Sequence, residues 1–237
     1  MNMSDNTILI TGGATGIGYA MAKYFLGRGS TVLICGRRGD RLARAKAELP
    51  GLHAFPCDVS VPEGREALVR HVGEDFPGLN ILVNNAGIQC DIDLTAGISG
   101  LPDLMQADNE IRVNFVAPVY LSALFTPILA GKENAAIVNV TSGLAFMVER
   151  AARAPIYCAT KAGLHAFSIA QRIQLAPLGV RVIEIIPPMV ESELNMESRI
   201  KRNAAKSPYM MSADEFAGKA LTKMEQDADE IRLEWGK

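Results

Sequence analysis

The sequence predicts an α/β protein, one domain over residues 1–237, built on a doubly wound parallel sheet of about seven strands. Three observations carry that reading. Short β-branched runs, apolar on both faces, alternate with longer stretches of helical periodicity, as expected of parallel strands covered by helices on both sides. A glycine-rich turn follows the first run directly and opens a helical pattern. No internal repeat, low-complexity segment or linker interrupts the alternation.

Taken in order, the expected strands are TILIT (7–11), TVLIC (31–35), LHAFPC (52–57), NILVN (80–84), AAIVNVT (135–141), VRVIEII (180–186) and EIRL (230–233). The first helix follows the glycine turn as Tyr19–Leu26. Ser60 ahead of Pro62 is expected to start the helix after the third strand, because proline suits a first turn. The run VNFVAPVYLSALFTPILAG (113–131) carries no charge and approaches membrane-span length, yet it holds Asn114, Pro118, Ser122, Thr126 and Pro127 and stands alone. A buried helix is the better reading. Near the C-terminus, Ser212 and Glu215 form a capping-box pattern before Phe216–Leu221.

Composition narrows the function. The chain is 49% hydrophobic and 21% charged with net charge −2, and no block of basic residues offers a surface to nucleic acid or an anionic membrane. Cys35, Cys57, Cys90 and Cys158 are scattered without C-x-x-C spacing, and the N-terminus lacks a basic segment followed by an apolar signal core. A cytoplasmic protein with reduced thiols is expected. His53, His71 and His165 lie far apart, so no metal site is assigned.

The chemistry-bearing motifs begin with Thr11-Gly-Gly-Ala-Thr-Gly-Ile-Gly18. Glycines between a strand and a helix let the backbone approach a pyrophosphate, and the helix N-terminus adds free N–H groups and a favourable dipole. The spacing is G-x-x-x-G-x-G, through Gly12, Gly16 and Gly18. Ordinary tight turns also use glycine, but the strand–turn–helix context favours nucleotide binding. The second motif is PIYCATK (155–161), which puts the Tyr157 phenol and the Lys161 ammonium on one helix face. A cation held near a phenol stabilises phenolate and makes the phenol a usable acid or base.

TGGATGIG, NNAG (84–87), Asn114, Ser142 after IVNVT, and Y-x-x-x-K (157–161) together resemble the short-chain dehydrogenase/reductase family over essentially the whole chain. The resemblance implies a single-domain Rossmann fold and an oxidoreductase that interconverts a small-molecule carbonyl and secondary alcohol. By it, Tyr157 exchanges a proton with the substrate oxygen, Ser142 positions that oxygen, Lys161 lowers the tyrosine pKa and binds the nicotinamide ribose, and Asn114 holds a relay water. The same resemblance gives the cofactor contacts: Gly12, Thr15, Gly16, Ile17 and Gly18 at the turn, Asp58 and Val59 at the adenine, Asn85, Ala86 and Gly87 beside the cofactor, and Val190 and Ser192 at the carboxamide or phosphate. In isolation Ser142 reads as a strand-end hydroxyl, Asn114 as a helix kink and Asp58 as a turn residue. A nucleotide-binding sensor or scaffold of the same fold is the competing reading; it predicts loss of a catalytic residue, and none is missing. Members often pair helices about a two-fold axis, and Ala159, Gly163, Ala166 and Ala170 have close-packing spacing, so a homodimer or homotetramer is expected.

Two departures stand out. Pro187-Pro188-Met189-Val190-Glu191-Ser192 occupies the place of the family's P-G-x-x-x-T, and the stretch between Ser142 and Tyr157 is longer, bringing Glu149, Arg150 and Arg153 to the substrate pocket. Residues 189–211, with Met189, Met196, Met210 and Met211, are expected to form a lid. The stretches ICGRR, NNAGIQ and SGLAF resemble a subgroup labelled for D-alanine esterification of teichoic acids, but a subgroup name does not fix a substrate. Cofactor choice is read at the end of the second strand. Gly36 stands where an acidic residue would bind the adenosine ribose, and Arg37, with Arg38 beside it, can pair with a 2′-phosphate, so NADP(H) is favoured and NAD(H) is the alternative.

Overall fold

The structure is a computed structural model that describes residues 1–194, 200 and 210–233. Alternation within the strands explains the layers. In β1 (Thr7–Thr11), Ile8 and Ile10 enter one apolar cluster and Leu9 the other; in β2 (Thr31–Gly36), Val32 and Ile34 face the first cluster, Leu33 and Cys35 the second. A strand apolar at every position must be covered on both faces, and here it is. The first layer is α1 (Gly16–Leu26), α2 (Gly39–Glu48) and α7 (Ala213–Glu225); the second is α3 (Pro62–Asp75), α5 (Ala117–Leu129) and the end of α6 (Pro155–Leu175). Each fully buried Leu, Ile, Val or Phe stabilises the fold by about 1.5–3 kcal/mol.

The remaining strands are β3 (His53–Pro56), β4 (Ile81–Asn84), β5 (Ala136–Val140), β6 (Arg181–Ile186) and β7 (Glu230–Arg232), and the sheet runs β3-β2-β1-β4-β5-β6-β7 with every pairing parallel. Strand order reverses between β1 and β4, and the crevice beyond the strand C-termini at that switch point is where such folds bind ligands. The seven expected strands are all present. The uncharged run is also helical and packed. α4 (Leu101–Ile111), a π-helical turn (Arg112–Val116) and α5 run on end to end, and Leu121, Phe125 and Leu129 are buried under the sheet.

Local signals fare unequally. Ser212 Oγ accepts the Glu215 N–H at 3.2 Å, the capping contact that its pattern implies. α3 starts at Pro62, as the proline implies, but Val61 rather than Ser60 holds the N-cap position, and the Ser60 N–H is taken by Asp58 Oδ1 at 2.9 Å in an Asx turn. Of the proposed lid, 195–199 and 201–209, including Met196, lie outside the described residues; Met211 pairs with Val190 in an isolated parallel bridge.

Candidate active site

The turn after β1 is shaped by what cannot be there. Gly12 has φ +64°, and a Cβ on it would fall 2.8 Å from Ala86 Cα; a Cβ on Gly18 would fall 2.5 Å from Asn85 Nδ2 and 2.6 Å from the Gly12 carbonyl. Side chains at either position would fill the space that the β1 and β4 ends need to close together. Thr11 makes the closure specific: its Oγ1 donates to the Val83 carbonyl at 3.3 Å and accepts the Asn85 and Ala86 N–H groups, both at 3.0 Å. The Asn85 carboxamide donates to the Thr11 and Gly12 carbonyls, so its side chain braces the turn. The N-terminus of α1 is left with Thr15 at the N-cap making no side-chain cap, and its first N–H groups open on the cleft.

That cleft has a volume of about 1440 Å³ and runs the length of the switch point. At one end Gly36, Arg37, Arg38, Asp58 and Val59 line it; next come Gly12, Thr15, Gly16 and Ile17, with Ser192 standing over Gly16; then Asn85, Ala86, Gly87 and Val190; and at the far end Ser142, Tyr157 and Lys161. Glu149, Arg150 and Arg153 border the far end, where the longer loop was expected to lie. Gly18 and Asn114 sit behind the lining, Asn114 without exposed surface. Arg38 is not free in the cleft: it donates to Glu193 Oε2 at 2.7 Å and Thr15 Oγ1 at 3.4 Å. Arg37 is exposed and has no ion-pair partner among the described residues.

The reactive end is built from the C-terminus of β5 and the first turns of α6. Ser142 follows β5, its Oγ accepting the Leu144 N–H at 3.1 Å, and the next residue, Gly143, donates its N–H to the Pro187 carbonyl at 2.9 Å. The diproline turn therefore fixes the serine. The Ser142 hydroxyl shares this end of the cleft with the Tyr157 phenol, and Lys161 donates to the Val140 carbonyl at 2.8 Å. Asn114 accepts the Ile88 N–H at 2.9 Å, donates to the Ile88 carbonyl at 2.8 Å and reaches Thr160 at 3.3 Å, which ties the π turn to the β4 exit and to α6.

The charge balance of this end follows from its dryness. Burial pushes Tyr157 up to about 12, the neighbouring Ser142 hydroxyl acts in the opposite direction, and the Glu110 charge adds to the rise. Burial also brings Lys161 down to about 8. Lys161 Nζ is held on the Val140 carbonyl and lies 5.8 Å from the Tyr157 ring centroid. The phenol is therefore held in its proton-carrying form.

Several supporting groups were not visible as motifs. Asn84 and Asn139 are register partners on β4 and β5; Asn84 donates to Asn139 Oδ1 at 2.9 Å and Ser122 Oγ at 3.3 Å, and Asn139 donates to Ser168 Oγ and Gln171 Oε1, both at 2.9 Å. These buried amides lock α5 and α6 to the sheet beside the site. The only signal for them was an asparagine inside each of two apolar strands.

Comparisons with known proteins agree with this geometry. A profile of the family described as short chain dehydrogenase matches residues 6–203. The chain is 47% identical over 234 residues to the "Uncharacterized oxidoreductase DltE" of Bacillus subtilis (strain 168), covering 99% of this chain and 90% of that protein. Among solved structures, a short-chain dehydrogenase from Sphingobium yanoikuyae in complex with NADPH superimposes with TM-score 0.80 at 28% identity, covering 95% of this chain and 87% of that one. A short chain dehydrogenase/reductase from Burkholderia phymatum in complex with NAD gives TM-score 0.83 at 19% identity over 98% and 89% of the two chains, a likeness of fold alone.

Proposed function

The chain belongs to the short-chain dehydrogenase family, and from that premise we propose that it is an NADP(H)-preferring oxidoreductase that interconverts a carbonyl and a secondary alcohol, with Tyr157 as the acid/base. The observation that carries the reading is that the Tyr157 phenol, Ser142 and Lys161 line the same cleft as a glycine turn, a helix N-terminus and an exposed arginine. A dinucleotide fits that cradle, since the places where Cβ atoms would intrude are glycines. When bound, the nicotinamide ring supplies or accepts the hydride.

The chain's own work is orientation and proton supply. Ser142 and Tyr157 present two hydroxyls to one substrate oxygen; in reduction the Tyr157 O–H bond breaks as the substrate O–H bond forms. Lys161, one helical turn on, is the nearby store of a second proton and the group aimed at the nicotinamide ribose. Gly36 leaves room for a 2′-phosphate, and Arg37 supplies its partner. Arg150 and Arg153 border the substrate end.

The proposal extends to a cytoplasmic protein of one domain that assembles through α5 and α6. Tyr120 is 54% exposed and Ile173 73% exposed on these helices. Ala159, Ala166 and Ala170 are exposed, whereas Gly163 serves the chain's own packing, its missing Cβ lying 3.4 Å from Phe115. The test of the activity is an absorbance trace at the reduced-nicotinamide wavelength with a panel of carbonyls and alcohols. Turnover with NADPH on at least one member supports the reading; nucleotide binding without turnover on any supports a sensor.

A further inference from the structure

Behind the Tyr157–Lys161 pair lies a carboxyl group that the scheme above does not use. Glu110 closes α4 one turn before Asn114 and has no exposed surface. Its Oε2 accepts the Cys90 N–H at 3.2 Å, while Oε1 has no hydrogen-bond partner. Leaving a carboxylate oxygen unpaired in the interior is costly, so its position calls for a physical reason. α4 packs on α6, and Asn114, one turn on from Glu110 along the same face, reaches Thr160 at 3.3 Å, while a Cβ on Gly87 would lie 3.4 Å from Asn114 Oδ1 and 3.7 Å from Lys161 Nζ; the titratable groups around the carboxyl are thus Tyr157, Cys158 and Lys161 from α6 and Cys90 from the segment after β4. Lys161 is the one cation in that set. The two are not hydrogen-bonded, since Lys161 holds the Val140 carbonyl, so the carboxylate acts on the ammonium as a charge through the interior.

We propose that Glu110 is a positioning residue for proton transfer: its carboxylate is the interior counter-charge of Lys161, and its charge state sets the pH range over which Lys161 remains an ammonium and Tyr157 a phenol. The inference rests on the dinucleotide reading of the cleft and adds a residue to it. A negative Glu110 favours the protonated form of both groups, Lys161 by attraction and Tyr157 by repulsion of the phenolate. Burial in turn pushes Glu110 up to about 7, against the Cys90 hydrogen bonds and the Lys161 charge, so the counter-charge itself appears around neutrality. Glu110 neither gains nor loses a proton in the substrate step. It governs how readily its neighbours do.

The test needs no substrate. Glu110→Gln keeps an acceptor for the Cys90 N–H and removes the charge. NADPH dissociation constants, read by cofactor fluorescence between about pH 6 and about pH 10, follow the loss of the Lys161 ammonium. In the unmodified protein affinity weakens as pH rises through about 8; in Glu110→Gln the weakening comes about one pH unit lower. Glu110→Asp, which keeps the charge, holds the original profile, so a merely structural role is separated from a charge role. Coincident profiles for the Glu110→Gln and unmodified proteins overturn the inference. If Glu110→Gln does not fold, the infrared C=O band of a buried carboxylic acid is followed in the unmodified protein and in Lys161→Met. The band disappears near neutrality and does so at higher pH without the lysine; a titration unmoved by Lys161→Met, or no such band, overturns it. Failure of any nucleotide to bind would overturn the dinucleotide reading, while the infrared arm would still report the coupling.

Discussion

Replacing Arg37 by leucine deletes the one guanidinium that, among the described residues, is left available at the end of β2. Arg38 is committed to Glu193 at 2.7 Å and Arg41 reaches the same carboxylate at 3.2 Å, so neither substitutes for it without breaking an existing pair. Hydrogen bonds between charged groups contribute about 1.5–3 kcal/mol when sheltered. Arg37 is exposed, and solvent and salt reduce that to about 1–2 kcal/mol. The dissociation constant for NADPH is thus expected to rise about 5- to 30-fold in Arg37→Leu, while that for NADH changes by less than about twofold. Fluorescence titration of both cofactors at two ionic strengths measures this, and the gap between the proteins should narrow at the higher one. Adding Gly36→Asp, which supplies a ribose acceptor and repels phosphate, should turn the preference towards NADH. Equal NADPH and NADH affinities in the unmodified protein, unmoved by Arg37→Leu, would refute the reasoning.

Gly12→Ala forces an L-residue to φ +64° and sets a Cβ 2.8 Å from Ala86 Cα, so it should lower stability by about 2–4 kcal/mol and abolish nucleotide binding, read by denaturant unfolding and titration. Stability should also depend on pH through Glu110. Its folded pKa, about 7, lies above the ordinary 4.5, so the contribution is full below about 4.5 and is lost as pH rises through about 7, and urea midpoints for Glu110→Gln should lack that slope. A charge at the exposed Ile173 should break the α5–α6 assembly: sedimentation of Ile173→Glu is expected at 25.5 kDa, with the unmodified protein at a multiple of it. A monomer before substitution would contradict that.

Much of the fold was legible because parallel strands declare themselves locally. Runs such as TILIT and TVLIC hold three apolar residues in succession, and all seven expected strands pair in one sheet. The Ser212–Glu215 cap was legible for the same reason, being set by four consecutive residues. Pro62 marked the start of α3 in the same way, whereas its cap did not follow, since Ser60 belongs to the Asx turn closed by Asp58 and Val61 stands at the N-cap. What the sequence could not display were contacts made by closure. Arg38 meets Glu193 across 155 positions, and the Asn84–Asn139 pair exists only once β4 and β5 are in register. The Tyr157–Lys161 spacing revealed which groups share a face but not how dry that face is, and dryness decides the direction in which Tyr157 moves. Glu110 was detectable only as a charge four residues before Asn114 on an apolar helix.

The central claim is that Tyr157 supplies the proton at the substrate oxygen, and Tyr157→Phe tests it most directly because the ring, and so the packing, is retained. Turnover of the best carbonyl substrate is to be followed by NADPH absorbance, with cofactor affinity measured on the same samples. The account predicts a loss of kcat of about 10²- to 10⁴-fold with the NADPH dissociation constant within about twofold of the unmodified protein. A Tyr157→Phe protein that keeps a large fraction of the original rate would contradict it.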